Sequence, residues 1–407
     1  MRIAVFENLP PGGALRSAFE IGRQLVARGH SLHLFRLSAP ADKGPFDLAP
    51  VSESVYVESF RPLWGALNTR LARLSLAPRS YTLFGPLRRA QRRLAEKIRA
   101  GAFDAVLLHQ DAMTTAPYAL RWLDDLPTIY YCQEPPRFVS ERSVLEAHRE
   151  HLAESPHVVG WARLADDRLA LDRLARADYE NARRAKTMVV NSVYSRERVW
   201  SAYERDAVVC YLGIDEVRFA PATEPKPRRR EVVSVGLPVS AKGHRLVVEA
   251  LALLPDDKRP GVRLILPRHA GTEALERLAK ELHVELTVEV SVDEAKFVER
   301  CQSALATVCA ARLEPFGLTP IESMACGTPV VAIREAGYRE SVIDGETGFL
   351  VEPHPRAVAD GILRLAGDPS LVDSMGKRGR EEVARRWTWR RTGDQMEEIL
   401  KAASLQR

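Results

Sequence analysis

The sequence predicts an α/β protein of two domains, each a parallel sheet with helices packed against it. Three observations carry that expectation. The chain has 407 residues, more than one ordinary core supports. Its start alternates strand (Arg2–Phe6), helix (about Ala14 to Arg28) and strand (Ser31–Phe35), with the turn Pro10-Pro11-Gly12-Gly13 after the first strand. Far downstream, the apolar β-branched runs Ala304–Ala310 and Val330–Ile333 enclose one short helical stretch, Leu313-Glu314-Pro315-Phe316-Gly317-Leu318-Thr319-Pro320-Ile321-Glu322 to Gly327.

In that stretch Thr319 is the expected N-cap, Pro320 the first helical residue and Gly327 the C-terminal stop. Glu322 then lies in the first helical turn, and Glu314 in the loop at the C-terminal end of a strand, the edge at which open α/β sheets bind ligands. Free amides at Phe316–Thr319 and the helix dipole suit an anion. The two carboxylates suit sugar or ribose hydroxyls. The plainer alternative is an ordinary first-turn glutamate beside an ordinary loop carboxylate.

Glu314-Pro-Phe-Gly-x4-Glu322, followed by Ala325-x-Gly327-x-Pro329-Val330-Val331, resembles the Glu-x7-Glu motif of the retaining family 4 glycosyltransferases. Two further stretches agree. Gly213-Ile214-Asp215-x3-Phe219-x-Pro221 is similar to the element that closes the family's N-terminal domain, and Ala336 to Val351 matches closely. The resemblance implies the GT-B fold: two Rossmann-like domains with an interdomain cleft, and a C-terminal helix crossing back to the N-terminal domain. It puts Glu314 near the donor sugar and Glu322 near the nucleotide ribose. Gly236-Leu237-Pro-Val-Ser-Ala-Lys242-Gly243 is similar to the family's diphosphate loop; Leu237 stands where an arginine is usual, and Arg245, Arg268 and Arg312 are the possible substitutes. The backbone near Val292 is expected beside the base, and Gly12 and Gly13 beside the donor phosphates and the acceptor.

The expected domains are 1–221, acceptor-binding and completed by 388–407, and 222–387, which binds the nucleotide sugar. The polar, proline-rich run Ala222–Arg230 joins them. Between strands at Phe103–His109 and Thr128–Gln133, Ala112–Leu123 reads as a helix, and Glu141–Ala185 as helical and charged. At the strand tips, Gln133 stands where many family members have histidine. It can hydrogen-bond but not titrate, and His109 is the nearest titratable replacement.

The formal charge of +5, from 59 basic and 54 acidic residues, is too small to argue for a nucleic-acid partner. Phe60–Ala100 concentrates arginine and lysine among leucines and Trp64. It suits an anionic membrane surface or an anionic acceptor, and equally well solvated helix faces over a core stripe. The N-terminus reads as a strand rather than a signal peptide, and no apolar run reaches about 20 residues. The five scattered cysteines read as buried thiols without zinc spacing. These features suggest a cytoplasmic protein, peripheral at the inner face of the membrane if the basic region docks there.

The expected activity is transfer of a hexosyl unit from a nucleotide-diphosphate sugar, of GDP-mannose or UDP-glucose type, to an acceptor hydroxyl with retention. The acceptor is a glycan, a lipid-linked sugar or a small molecule. No Asp-x-Asp motif is present, so a metal-independent reaction without cofactor is expected, with Lys242 and helix-terminal amides meeting the diphosphate charge. A sugar-nucleotide epimerase or phosphorylase on the same fold stays open. So does a degenerate nucleotide-sugar-binding protein, given Leu237 and Gln133.

Overall fold

The computed structural model describes residues 1–38, 44–60, 79–136, 171–224, 228–268 and 271–405. Residues 61–78 of the basic leucine-rich stretch and 141–170 of the charged segment from Glu141 lie outside them. The chain divides into two compact units, Met1–Cys210 with Gly393–Arg407, and Tyr211–Thr392.

The first unit is built on β1 (Arg2–Asn8), β2 (Ser31–Leu37), β3 (Ser54–Glu58), β4 (Ala105–Asp111), β5 (Thr128–Tyr131), β6 (Thr187–Val190) and β7 (Val208–Val209). They form a parallel sheet in the order β3-β2-β1-β4-β5-β6-β7. The central strand β1 reads apolar from Ile3 to Phe6 because both its faces are covered: Ile3, Ala4, Val5 and Phe6 are all buried. Each large side chain among them contributes about 1.5–3 kcal/mol over leaving it in water. Helix α1 (Gly13–Ala27) follows the glycine turn, and α2 (Arg79–Ala100) precedes β4. On α2 the residues Leu87, Ala90, Gln91, Leu94, Ala95 and Ile98 are buried at helical spacing. The apolar stripe of this helix is therefore spent on the core, and what it shows to solvent includes Arg88, Arg89, Arg92, Arg93, Lys97 and Arg99, with Glu96 among them.

The expected helix over Ala112–Leu123 does not form. The Asp111 carboxylate accepts from the amides of Met113 (2.7 Å) and Thr114 (3.1 Å), which closes a turn. Thr115 takes a left-handed φ of 55° and pairs back to Asp111, and Pro117 lacks the amide a helix needs. Only a 3-10 segment, Tyr118–Trp122, remains.

The helical stretch 171–182 places Asp178 fully inside this unit. Its carboxylate accepts from the amide of Ala116 (2.8 Å) and the hydroxyl of Tyr203 (2.7 Å). Burial pushes its pKa up from 3.8 to about 7 despite those bonds. A folded pKa above the unfolded value means that the protonated form carries the stability. That contribution is complete below about pH 4 and is lost as pH rises through about 7. Asp178→Asn should therefore gain on the parent in melting temperature between pH 4 and pH 8, with most of the gain in place by pH 7. A difference that stays constant across that range would refute the assignment.

The second unit repeats the winding with β8 (Glu231–Val235), β9 (Gly261–Leu266), β10 (Leu286–Val290), β11 (Ala306–Cys309), β12 (Val330–Ile333) and β13 (Gly348–Val351), parallel in the order β10-β9-β8-β11-β12-β13. Its helices, with α3 (Val193–Tyr203) belonging to the first unit, are α4 (His244–Ala252), α5 (Glu273–Glu281), α6 (Glu294–Ser303), α7 (Leu318–Ala325), α8 (Tyr338–Ser341), α9 (Pro355–Gly367) and α10 (Pro369–Arg386).

The compact units divide after Cys210 and after Thr392, where the sequence reading placed the borders after 221 and 387. Residues 211–221 pack on the second unit. The amide of Ile214 donates to the Trp387 carbonyl at 2.9 Å, Arg380 donates to the carbonyls of Phe219 and Glu216 (both 2.8 Å), and the rings of Phe219 and Phe297 meet edge to face. A Cβ on Gly213 would lie 2.2 Å from the Thr388 backbone, so the sequence Gly213-Ile214-Asp215 is a contact, not a spacer.

The last helix, α11 (Trp389–Ser404), carries residues 393 onward into the first unit. There Arg28 holds Asp394 at 2.5 Å, His30 Nε2 donates to Glu397 at 3.1 Å, and a side chain at Gly393 would strike Gln24 and Arg28.

Candidate functional site

In the second unit β8 and β11 are neighbours whose connections leave to opposite sides, so their C-terminal ends part and open a crevice. A small pocket, open to solvent, sits there. Ser234 and Val235 line it from β8, Val308 and Cys309 from β11, and Gly317, Leu318 and Thr319 from the start of α7. Two charges face it. Lys242 Nζ donates to Glu314 Oε2 at 2.8 Å, with the side chains 35% and 21% exposed. An ion pair so accessible adds about 1 kcal/mol or less to stability. Its consequence is to hold one cation and one anion at the mouth of the pocket.

Glycines bring those charges together. Gly236 has φ 132°, and the stem of Lys242 runs across it, 3.2 Å from where a Cβ would stand. Gly243, at φ 70°, lets the loop close onto β11; a Cβ there would lie 2.1 Å from the Ala310 carbonyl oxygen. On the other side, the Glu314 carbonyl accepts from the Gly337 amide at 3.0 Å, and Glu335 accepts from Arg312 (2.8 Å) and from the Leu313 amide.

The start of α7 differs from expectation. Its N-cap is Gly317, at φ 82° and ψ 94°, so Leu318 is the first helical residue, Thr319 the second and Pro320 the third. The residue type at this cap is set by tertiary packing: the Tyr338 ring packs against Gly317, 2.6 Å from a would-be Cβ, and only glycine leaves room. Pro320 is still tolerated, since first-turn amides have no helical partner. Glu322 consequently opens the second turn and is buried at 5% exposure. It stays close enough for its charge, with that of Glu314, to add to the burial that pushes the Cys309 thiol upward. A thiol so held is protonated and inert.

The sequence-predicted residues thus divide. Lys242, Glu314, Gly317, Leu318 and Thr319 line the pocket. Gly236 and Gly243 shape its rim from behind. Phe316 turns away into an aromatic cluster with Tyr211 (6.2 Å) and Trp387 (5.5 Å). Val292 packs with Phe297 over Val233, Ile265 and Ala304. Neither Arg245, paired with Glu249, nor Arg312, paired with Glu335, lines the pocket. Ser234, Cys309 and Tyr338 were not singled out from sequence; they sit inside strands or after a turn, where nothing but the assembled sheet edge marks them.

In the first unit, Gly12 (φ 153°) is the N-cap of α1 and Gly13 its first residue, with open space where a Gly12 Cβ would go. Gln133 is beside them: its Nε2 donates to the Ala14 carbonyl at 3.1 Å, and its own carbonyl accepts from Ser195. His109 is 1% exposed, edge-on to Tyr131 at 6.0 Å, and neither ring nitrogen has a hydrogen-bond partner among the described residues. Burial pushes its pKa down to about 4, so the ring is neutral near pH 7.

Among the described residues no three His, Cys, Asp or Glu side chains group as a metal site, and no helix is long and apolar enough to cross a membrane.

Comparison with known proteins agrees with this geometry. Residues 11–218 match the profile described as Glycosyltransferase Family 4, and residues 215–382 the one described as Glycosyl transferases group 1. A GDP-mannose-dependent alpha-(1-6)-phosphatidylinositol monomannoside mannosyltransferase of Mycolicibacterium smegmatis is 31% identical over 265 residues, covering 60% of this chain and 68% of that protein. A D-inositol 3-phosphate glycosyltransferase of Corynebacterium urealyticum is 28% identical, covering 54% and 57%. Among solved structures, sucrose-phosphate synthase from Thermosynechococcus elongatus superposes with a TM-score of 0.73 at 19% identity, each chain covered completely. Anabaena HepE in complex with UDP gives 0.70 at 18% identity, covering 99% of this chain and 100% of that one. With two Rossmann-like units, matches over both halves and these structural neighbours, the chain belongs to the family 4 glycosyltransferases and has their GT-B fold.

Proposed function

We propose that the second unit binds a nucleotide-diphosphate sugar of the GDP-mannose type, and that the enzyme moves its hexosyl unit to an acceptor hydroxyl with retention and without a metal ion. The observation that carries this is the Lys242–Glu314 pair at 2.8 Å beside the first amides of α7. Lys242 and those amides can hold the diphosphate, while Glu314 accepts from donor-sugar hydroxyls. The ribose is assigned to Glu322 by the family resemblance, although its side chain is buried and does not line the pocket. With Gln133 unable to titrate and His109 neutral and enclosed, neither of these two residues is poised as a base. A front-face course follows: the departing phosphate oxygen takes the acceptor proton, and catalysis rests on positioning and charge stabilisation.

GDP-mannose is favoured over UDP-glucose because several of the similar enzymes are named as GDP-mannose-dependent. A lipid-linked or anionic acceptor, held by the first unit, is favoured by those names and by the exposed basic face of α2. That face is partly neutralised, since Arg92, Arg93 and Arg99 pair with Glu96, Glu58 and Asp125.

The test is a thermal-shift panel of UDP, GDP and ADP with their glucose and mannose esters, followed by donor hydrolysis with and without EDTA. GDP-mannose should raise the melting temperature, and slow release of mannose should survive EDTA. Stabilisation by none of these ligands would sink the transferase reading, and loss of turnover in EDTA would sink its metal independence. Proton NMR of the product linkage reports retention.

A further inference from the structure

The loop that carries Lys242 is gripped from beneath by a histidine with no part in the scheme above. His244, the first residue of α4, is 5% exposed. Its Nε2 lies 3.2 Å from the Leu237 carbonyl oxygen, and its Nδ1 lies 2.9 Å from Ser234 Oγ. A carbonyl only accepts, so Nε2 carries the proton and donates it. Nδ1 is then the acceptor, and the Ser234 hydroxyl donates to it. That hydroxyl belongs to a residue that lines the pocket.

We propose that His244 is a positioning residue for the diphosphate-binding loop, fixing Gly236–Gly243 so that Lys242 meets the diphosphate without a loss of loop entropy on binding. This rests on the donor-site reading above. The loop needs such a tie. Both its end glycines have positive φ, at 132° and 70°, and Val239 between them is 52% exposed. The loop is joined to its surroundings by the Gly236 amide to Ile265 (3.0 Å) at its start and by the Arg312 amide to the Ala241 carbonyl (2.8 Å) near its end, and the Leu237 carbonyl follows the first of these. Leu237 also has no side-chain cation to offer, so Lys242 is the one cation lining the pocket among the described residues. A single cation on a loop held only near its ends binds weakly if the stretch between is not fixed in advance, because ordering it costs free energy at the moment of binding. The groups facing the ring suit a neutral one. Lys242 opposes a charge on it, and burial holds its pKa down at about 4. The ring therefore keeps one donor and one acceptor across the ordinary pH range.

The experiment compares His244→Leu, His244→Gln and Ser234→Ala in the full chain, with GDP and UDP as probes by calorimetry and amide exchange over residues 236–243. His244→Leu should weaken the preferred diphosphate about tenfold and speed exchange in the loop, with kcat at saturating donor within about twofold. His244→Gln, whose amide can still donate to Leu237, should recover most of the affinity. Ser234→Ala, which keeps the imidazole but frees its acceptor, should fall between them, and it carries the test if the leucine variant does not fold. Parent-like affinity and exchange in both His244→Leu and Ser234→Ala would overturn the assignment while leaving the donor site intact. A glutamine variant as weak as the leucine one would reduce His244 to a packing residue. If the parent chain binds neither GDP nor UDP, the donor-site reading fails, and this inference fails with it.

Discussion

Glu314→Gln is expected to lower kcat by about 10²–10³-fold while changing the donor KM by less than about threefold, the scale seen when one preorganised charge-stabilising group is removed. Two parts of the geometry set this pattern. Among the described residues Glu314 is the one carboxylate lining the pocket, so its proposed role with the sugar has no stand-in there. Its loss also releases Lys242 from a 2.8 Å ion pair, and a released ammonium is freer to meet the diphosphate. Ground-state donor affinity is therefore retained, and the loss falls on the transition state. Lys242→Ala should do the reverse in part, raising the donor KM as well as lowering kcat. Because the pair is accessible, neither change should move the melting temperature by more than about 2–4 °C. Steady-state kinetics on the hydrolytic half-reaction would show the pattern, and unchanged kcat in Glu314→Gln would refute the assigned role.

Trp387→Ala is expected to cost about 3–5 kcal/mol of stability in the second unit, the scale of emptying a large aromatic site. Trp387 is 1% exposed and among the largest fully buried side chains. Its ring meets Tyr211 edge-on at 5.2 Å and Phe316 at 5.5 Å, with the Arg386 guanidinium 4.7 Å above it. Tyr211 in turn donates to Glu340 at 2.9 Å. This cluster backs the loop that carries Glu314, so the alanine variant should also raise the donor KM. Trp387→Phe should be far milder. It keeps an aromatic ring and removes an indole N–H that is buried without a hydrogen-bond partner among the described residues, a group that costs about 1–3 kcal/mol. Urea unfolding of both variants would check this, and a phenylalanine variant as unstable as the alanine one would contradict it.

The sequence and the assembled structure do not carry the same information about this site. Glu314, Phe316, Gly317 and Glu322 were legible because they stand close together in one motif at a strand end. Their separate fates were not. Phe316 faces the core and Glu322 begins the second turn, with the cap on Gly317, where the ring of Tyr338, from a later segment, leaves room only for glycine. The helix expected over Ala112–Leu123 failed for a similar reason: an Asp111 turn outweighed helical propensity once β4 placed that carboxylate beneath the following amides.

By itself the sequence determined the two-unit α/β architecture, the parallel strands and the positions of the loops at their C-terminal ends. Hydrophobic periodicity and glycine or proline punctuation act over a few residues and need no partner. Only the tertiary structure decided that Lys242 and Glu314, 72 residues apart, form one ion pair, and that Ser234, His244 and Leu237 form one chain of hydrogen bonds. It also decided that residues 211–221 belong with the second unit. These outcomes depend on which strand lies beside which and on how closely Gly243, Gly317 and Gly213 allow the backbone to approach its neighbours, and such distances arise only when the sheets are assembled.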